Sequence, residues 1–170
     1  MPTEDNKKEF KKNTRKPPRR DAKPRSEFDN KLLEIRRVAR VIAGGRRFSF
    51  STSVVAGDRK GKVGVGIGKA SDTPIAIDKA LRDAKKNMVK INLTKTSSIA
   101  HEVLAKYGSS VVSIRPAPGK GIIAGSAVRA VLEIAGITAV SAKILSRSKN
   151  KINNSRAAIK ALSQLKEVKI

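Results

Sequence analysis

The chain has 170 residues and carries 38 Lys and Arg against 14 Asp and Glu, so its formal net charge is +24. Self-repulsion at such a charge disfavours a compact fold unless a polyanion neutralises it, and nucleic acid is the polyanion that this composition favours. The absence of cysteine excludes disulfides and cysteine-based zinc sites. Apolar runs of only a few residues and the lack of a signal-peptide pattern predict neither membrane association nor secretion.

Residues 1–25 are predicted to form a disordered basic tail. This segment has six Lys and four Arg against four acids, few apolar side chains and four prolines. Such a composition buries too little apolar surface to offset the entropy of ordering. Two interpretations stay open. The tail either lies along RNA or is a solvated run of charged residues.

A first domain is predicted over residues 26–94, beginning with a three-stranded meander. Residues 26–35 lead into it as a short helix or as the start of a strand. The strands are expected at 36–42, 46–58 and 62–69, with glycine-rich turns at Gly44-Gly45 and at 57–61. The turns and strand ends are rich in basic residues, with Asp58 as the one acid among them. Such a surface suits the phosphate backbone of a nucleic acid. The basic residues predicted there to bind RNA are Arg36, Arg37, Arg40, Arg46, Arg47, Arg59, Lys60, Lys62 and Lys69.

The middle strand places Phe48 and Phe50 on one face, because side chains alternate along a strand. We expect both rings to pack against the helix that follows, with base stacking as the alternative for either ring. That helix should be capped by Thr73, with Pro74 in its first turn. Its apolar stripe, which should lie on the meander, consists of Ile77, Ala80, Leu81, Ala84 and Met88. A short strand is expected at 90–94.

A second domain is predicted over residues 95–170. Its expected order is strand, strand, helix, strand, helix, which implies a two-layer α/β or α+β architecture. Strands are expected at 101–104, 110–115 and 139–146. The first helix should run from a Ser126 cap to a Gly136 stop, and the second should start at about Asn154. The last helix is expected to bury Ala158, Ala161, Leu162 and Leu165.

The stretch 119–124 matches a relaxed dinucleotide-binding pattern, but no acid near position 140 could bind a ribose. The simpler interpretation is a turn that enters a helix, where Lys120 could help hold an RNA phosphate. His101 is the single histidine and is expected to be structural or at the surface. The scattered acids form no catalytic constellation, so we expect no enzyme activity, metal or cofactor.

The motifs taken together resemble the family of bacterial small-subunit ribosomal protein S-five. The resemblance rests on the glycine and arginine pattern of residues 44–50, the glycine-rich pattern of 54–70, the segment 121–133, and Asn150-x-Ile152-Asn153. It extends from about Leu32 to Leu165.

This resemblance implies a first domain similar to a double-stranded-RNA-binding fold and a second α/β domain with a βαβ crossover. It implies small-subunit ribosomal RNA as ligand, ribosomal proteins S-four and S-eight as neighbours, and messenger RNA nearby. An influence on decoding accuracy and a cytoplasmic location in the small subunit, without homo-oligomers, are implied too. Gly121 and Arg129 correspond to the contact with S-four. The loop near the spectinomycin site corresponds to Val38, Ala39, Arg40, Val41, Ile42, Ala43, Gly44 and Gly45.

The chain departs from the family pattern at three places. Ala43 stands where the family often has lysine, Ser126 where it usually has glycine, and Lys151 where it usually has proline. Ser126 should be the better helix cap, so we expect no loss there. Two other hypotheses stay open, an RNA-processing or phosphoryl-transfer enzyme that uses the loop 119–126, and a free binder of A-form RNA.

Overall fold

The computed structural model describes residues 27–94 and 96–166, so the predicted tail at 1–25 lies outside the described residues. No helix in the described ranges is long and apolar enough to cross a membrane. The elements are β1 (Asp29–Ile42), β2 (Gly45–Gly57), β3 (Lys62–Ala70), α1 (Thr73–Lys86), β4 (Val89–Lys90), β5 (Val103–Tyr107), β6 (Ser110–Pro116), β7 (Ile122–Ile123), α2 (Ser126–Ala135), β8 (Val140–Ile144) and α3 (Lys151–Ser163).

The first sheet is antiparallel in the order β1-β2-β3-β4, and it contains the predicted meander. The lead-in segment is a strand, since β1 starts at Asp29, and a bulge at Leu33 interrupts its register with β2. The strand expected at 90–94 is only the two-residue β4. Local turn chemistry therefore predicted the meander well and its outer edge less well.

Helix α1 lies directly on β3 through two rows of small residues. A side chain at Gly64, Gly66 or Gly68 would overlap backbone atoms of Ala84, Ala80 or Ala76, respectively. Alternate residues of a strand advance by about 6.6 Å and four helical residues by about 6.0 Å, so the two rows stay in register. The buried stripe of α1 is therefore Ala76, Ala80 and Ala84, whereas the predicted members Ile77, Leu81 and Met88 are half-buried.

The predicted cap of α1 is wrong by one residue. Thr73 is the first helical residue, and Asp72 occupies the cap position without a side-chain hydrogen bond. Pro74 lies in the first turn as expected, where its missing N–H leaves no helical hydrogen bond unmade. On the same helix, Asp83 Oδ2 accepts from the backbone N–H of Ile67 at 2.9 Å, so this acid helps hold the strand against the helix.

The second sheet has the order β5-β6-β8-β7, with α2 and α3 packed against it. Strands β7 and β8 are parallel and are joined through α2, which is the crossover that the resemblance implied. Residue Gly125, not Ser126, is the cap of α2, while Gly136 ends that helix with φ 83° as expected. Helix α3 starts at Lys151, earlier than expected, because Asn150 accepts from the N–H groups of Ile152 and Asn153.

The two sheets share one apolar core. Val55, Val63 and Val65 lie on the face of the first sheet opposite α1, and they join the core formed by α2, α3 and the second sheet. The residues predicted to be buried near the last helix, Ala158, Ala161, Leu162 and Leu165, belong to the same core. Each face of the central part of the first sheet is therefore covered.

The turn between β2 and β3 docks on the end of α2. The N–H groups of Arg59 and Gly61 donate to the carbonyls of Ile134 and Ala135 at 3.1 and 3.0 Å. A side chain at Gly136 would overlap the carbonyl oxygen of Arg59. These backbone contacts fix the turn against the end of α2, while the side chains of Arg59 and Lys60 remain exposed.

Candidate nucleic-acid interface

A two-stranded ribbon projects beyond the rest of the first sheet. Pairing of β2 with β3 ends at Phe50 and Ala70, whereas pairing of β1 with β2 continues from Val38 and Ser49 to Ile42 and Gly45. Five residues of each strand therefore extend about 16 Å past β3. We call residues 38–49 the arm. All of its residues are exposed except Val38 and Ser49, which are half-buried.

Arginines occupy both faces of the arm and its base. Directly paired residues of an antiparallel ladder share a face, and Phe50 pairs with Arg37 while Val41 pairs with Arg46. Arg37 and Arg46 therefore lie on the face that α1 covers further along, which we call the front face. The back face carries Arg36, Arg40 and Arg47. The chain has no acid between Glu34 and Asp58, so no negative charge interrupts the arm.

The expectation that Phe48 packs against α1 is wrong. Its side chain is 49% exposed, because the arm extends past the first turn of the helix, which meets the sheet at Gly68. The guanidinium carbon of Arg37 lies 4.2 Å from the centre of the Phe48 ring, within cation–π range. Phe50 is half-buried at the base of the arm. The front face thus presents an aromatic ring with an arginine on it.

The turn at the tip of the arm differs from the predicted one. Ala43 and Gly44 are its central residues, since Ile42 pairs with Gly45, and neither has positive φ. Gly45 has φ 132°, a conformation that residues with side chains rarely adopt. No other atom lies near a side chain built at Gly44 or Gly45. The segment assigned to the spectinomycin region, Val38 to Gly45, is thus one strand and the turn of an exposed hairpin.

Three predicted RNA-binding residues lie at the opposite end of the sheet. Arg59, Lys60 and Lys62 follow Gly57, which is about 40 Å along β2 from Gly45. Arg59 pairs through Nε with Asp29 Oδ2 at 2.6 Å. Lys69 is exposed near the base of the arm, opposite Ser51. The basic residues of the meander therefore form two separate groups, contrary to the single surface that the sequence suggested.

Asp58 stabilises the turn between β2 and β3. Its Oδ1 accepts from the backbone N–H groups of Lys60 and Lys62 at 2.8 and 2.9 Å. Burial raises the pKa of Asp58, but these backbone hydrogen bonds outweigh that effect, so the pKa lies below its usual value. The acid among the basic residues therefore shapes the turn and does not weaken the arm.

Lys120 is exposed between Gly119 and Gly121, whose φ angles are 77° and 70°. This turn enters the short strand β7 and not a helix, since α2 starts only at Ser126. The expected placement of Lys120 beside a helix N-terminus is therefore not what the chain adopts.

Arg129 has a partner within the chain. Its Nε donates to Glu133 Oε1 at 2.9 Å, one turn further along α2, and Lys31 of β1 pairs with the same carboxylate. The hydrogen bonds from Lys31 and then Arg129 hold the pKa of Glu133 below its usual value. Arg129 therefore has an ion-pair partner within its own chain, while its guanidinium remains exposed.

Sequence reasoning missed two features of the second domain. The face of the second sheet away from the helices exposes Leu104, Leu145, Arg115 and Lys143, and Glu102 pairs with Arg115 at 2.7 Å. The hydrogen bond from Arg115 lowers the pKa of Glu102. The other feature is a groove beside Tyr107, whose only signal in the sequence is that it is the single tyrosine. Among the described residues, no group of three or more His, Cys, Asp or Glu could hold a metal ion.

An exposed arginine-rich ribbon on a two-domain α+β scaffold defines a protein suited to binding a polyanion. Residues 28–92 match the family described as "Ribosomal protein S5, N-terminal domain". Residues 105–169 match "Ribosomal protein S5, C-terminal domain". The chain belongs to the ribosomal protein S5 family, which consists of structural proteins and not enzymes.

Individual relatives agree with the family match. The chain is 48% identical over 142 residues to "Small ribosomal subunit protein uS5" of Mycoplasmopsis agalactiae, covering 83% of this chain and 61% of that protein. It is 46% identical over 162 residues to the protein of the same name from Mycoplasma mobile, covering 95% and 64%. The Thermosynechococcus vestitus protein is 45% identical over 155 residues, covering 91% and 88%. The chain thus spans less than two thirds of the two mycoplasma relatives.

Proposed function

We propose that this chain is a structural component of the small ribosomal subunit and binds small-subunit ribosomal RNA in the cytoplasm. The observation that carries the proposal is the arm, an exposed ribbon with arginines on both faces and no acid from residue 35 to residue 57. Arginine presents several donors in a plane and suits phosphate oxygens. Because both faces are basic, the arm can lie between two RNA segments and neutralise phosphates on either side.

The two domains have different proposed roles. We assign RNA binding to residues 26–94, whose meander and covering helix support a likeness to a double-stranded-RNA-binding fold. Residues 95–170 form the second domain in this proposal, and the tail at 1–25 lies along RNA. Arg59, Lys60, Lys62 and Lys120 contact RNA at separate places from the arm. The arm's turn lies near the place where spectinomycin binds.

The proposal also includes contacts with two neighbouring ribosomal proteins. The contact with ribosomal protein S-four is assigned to Gly121 and Arg129, which are both exposed. Since Arg129 already pairs with Glu133, an acid of the partner would share or replace that pairing. Ribosomal protein S-eight is the second proposed neighbour. The chain lies near the path by which messenger RNA enters, and it affects decoding accuracy through the contact with S-four.

The test compares three variants that each lose two positive charges. Arg37→Ala with Arg46→Ala removes both arginines of the front face, and Arg40→Ala with Arg47→Ala removes two of the three arginines of the back face. Lys143→Ala with Lys149→Ala is the control, because both side chains are exposed in the second domain and neither belongs to the proposed RNA-binding residues. The affinity of the full chain for small-subunit ribosomal RNA is measured over a range of salt concentrations.

We expect the affinity of the parent to fall linearly on a log–log plot against salt. Each lost phosphate contact should lower the slope by about 0.7 to 0.9, so an arm variant should lose up to about twice that amount. The control pair should change the slope less than either arm pair. Equal losses in all three variants would mean that only total charge matters, and the arm would then not be the binding surface.

A further inference from the structure

A groove of about 410 Å³ opens where the first domain meets α3 and the turn between β5 and β6. This volume falls within the roughly 300–1,000 Å³ that is usual for small-ligand sites. Helix α3 contacts β3 and β4 of the first sheet as well as β5 of the second, so both domains form the walls. The residues that matter here are Val65, Val89, Tyr107, Arg156, Ile159 and Lys160.

Tyr107 is held in a fixed orientation at this groove. Arg156 Nη1 donates to the tyrosine hydroxyl at 3.0 Å, and the guanidinium carbon lies 5.6 Å from the ring centre. Lys160 Nζ donates to the carbonyl oxygen of Lys106 at 3.3 Å, which keeps a second cation beside the ring. The tyrosine side of the groove is not closed, since Tyr107 remains 37% exposed.

The walls combine apolar surface, one aromatic ring and two cations, and no acid is among the residues that line the groove. A flat, partly apolar ligand with a negative charge matches that combination, and a nucleotide has both properties. Aromatic side chains stack on unpaired bases, while Arg and Lys bind the phosphates. At the rim, Asn87 donates to Asp83 at 3.1 Å, and its amide carbonyl can accept from a base amino group.

We propose that this groove binds one unstacked nucleotide of single-stranded RNA, with the base against Tyr107 and a phosphate near Arg156 and Lys160. The inference rests on the proposed function, since it takes RNA as the ligand. It adds a second mode of recognition, because the arm contacts phosphates whereas the groove accepts a base. A duplex cannot offer that base without unpairing it.

The chain itself provides a selective probe of the groove. It has one tyrosine and no tryptophan, so emission excited at wavelengths that phenylalanine does not absorb comes from Tyr107 alone. The full chain is titrated with a short single-stranded oligouridylate and, separately, with an RNA duplex, and emission is corrected for RNA absorbance. Overall binding is followed by a label on the RNA. We expect the single strand to reduce emission about two-fold or more at saturation, and the duplex to leave it nearly unchanged.

Variants test the contact directly. Tyr107→Ala should weaken binding of the single strand about ten-fold, as loss of one stacked base implies, while Tyr107→Phe should remain within about two-fold of the parent. Leu104→Ala, an exposed change on the same strand, is the control. Circular dichroism checks that each variant is folded. If Tyr107→Ala does not fold, Arg156→Gln with Lys160→Gln replaces it and should abolish the loss of emission.

Two failures are distinguishable. If the parent binds neither RNA, the proposed function fails as well as the inference. If the parent binds both RNAs and tyrosine emission responds equally to single strand and duplex, RNA binding stands and the groove is not a nucleotide site. Equal affinities of Tyr107→Ala and Leu104→Ala for the single strand would overturn the inference in the same way.

Discussion

Gly45 is required at the tip of the arm because of its backbone conformation, and not because neighbouring atoms leave no room for a side chain. Its φ of 132° suits glycine, whereas Gly44 has no positive φ, and a side chain at either position would meet open space. The two adjacent glycines are therefore not equivalent, although the sequence offers no way to tell them apart.

We predict that Gly45→Ala loosens the arm while Gly44→Ala does not. The side chain at position 45 should cost about 1–2 kcal/mol locally, because the backbone must leave its present conformation. Hydrogen exchange should become faster across residues 38–49, and the affinity for ribosomal RNA should fall. Gly44→Ala is the matched control and should resemble the parent in both measurements. Equal exchange in the two variants would show that the tip does not depend on this backbone geometry.

Glu133 joins the two domains, since its carboxylate pairs with Lys31 of β1 and with Arg129 of α2. Its pKa is lowered in the folded chain, so the pairing stabilises the fold above the unfolded pKa of about 4.3 and is lost as pH falls through the folded pKa. The pairs are partly exposed, which limits their contribution to about 1 kcal/mol.

We predict that Glu133→Gln lowers the free energy of unfolding at neutral pH and that the difference from the parent disappears in acid. Urea unfolding at several pH values measures this dependence. Asp78→Asn removes the same charge from the exposed side of α1 and is the control. A difference for Glu133→Gln that persists unchanged at acidic pH would contradict the ion-pair explanation.

At the scale of elements, the contact between β3 and α1 depends on the absence of side chains. A Cβ at Gly66 would overlap backbone atoms of Ala80 and Ala84, which cannot move aside as a flexible side chain could. We predict that Gly66→Ala lowers the free energy of unfolding by about 3 kcal/mol, the upper part of the usual cost of overpacking. Urea unfolding measures it, with Gly44→Ala as the control in open space. A loss below that of an ordinary surface change would show that α1 can shift outward freely.

The elements themselves were largely predictable because their signals are local. Alternating side chains and glycine turns are enough to identify the meander, and Gly136 is enough to end α2. The caps at Thr73 and Ser126 were each misplaced by one residue, because a residue's φ and ψ, and not its type alone, decide where a helix begins. Helix α3 starts at Lys151 and not at the expected Asn154, because the side chain of Asn150 caps it.

At the scale of the whole molecule, the basic residues could be counted from the sequence but not positioned. Their separation depends on where β3 ends and on the docking of the turn at 58–61 against α2, and both are contacts between distant parts of the chain. The exposure of Phe48 has the same origin, since α1 does not extend over the arm. Nonlocal packing of this kind is not encoded in any short segment of the sequence.

The central claim is that the chain is a structural, RNA-bound component of the small ribosomal subunit. Sucrose-gradient fractionation of bacterial cells that express the tagged full chain tests it most directly. The chain should sediment with the small subunit and be released as salt in the gradient is raised. Release should occur at lower salt when Arg40, Arg46 and Arg47 are changed to Ala. A chain that remains at the top of a low-salt gradient, apart from ribosomal subunits, would contradict the account.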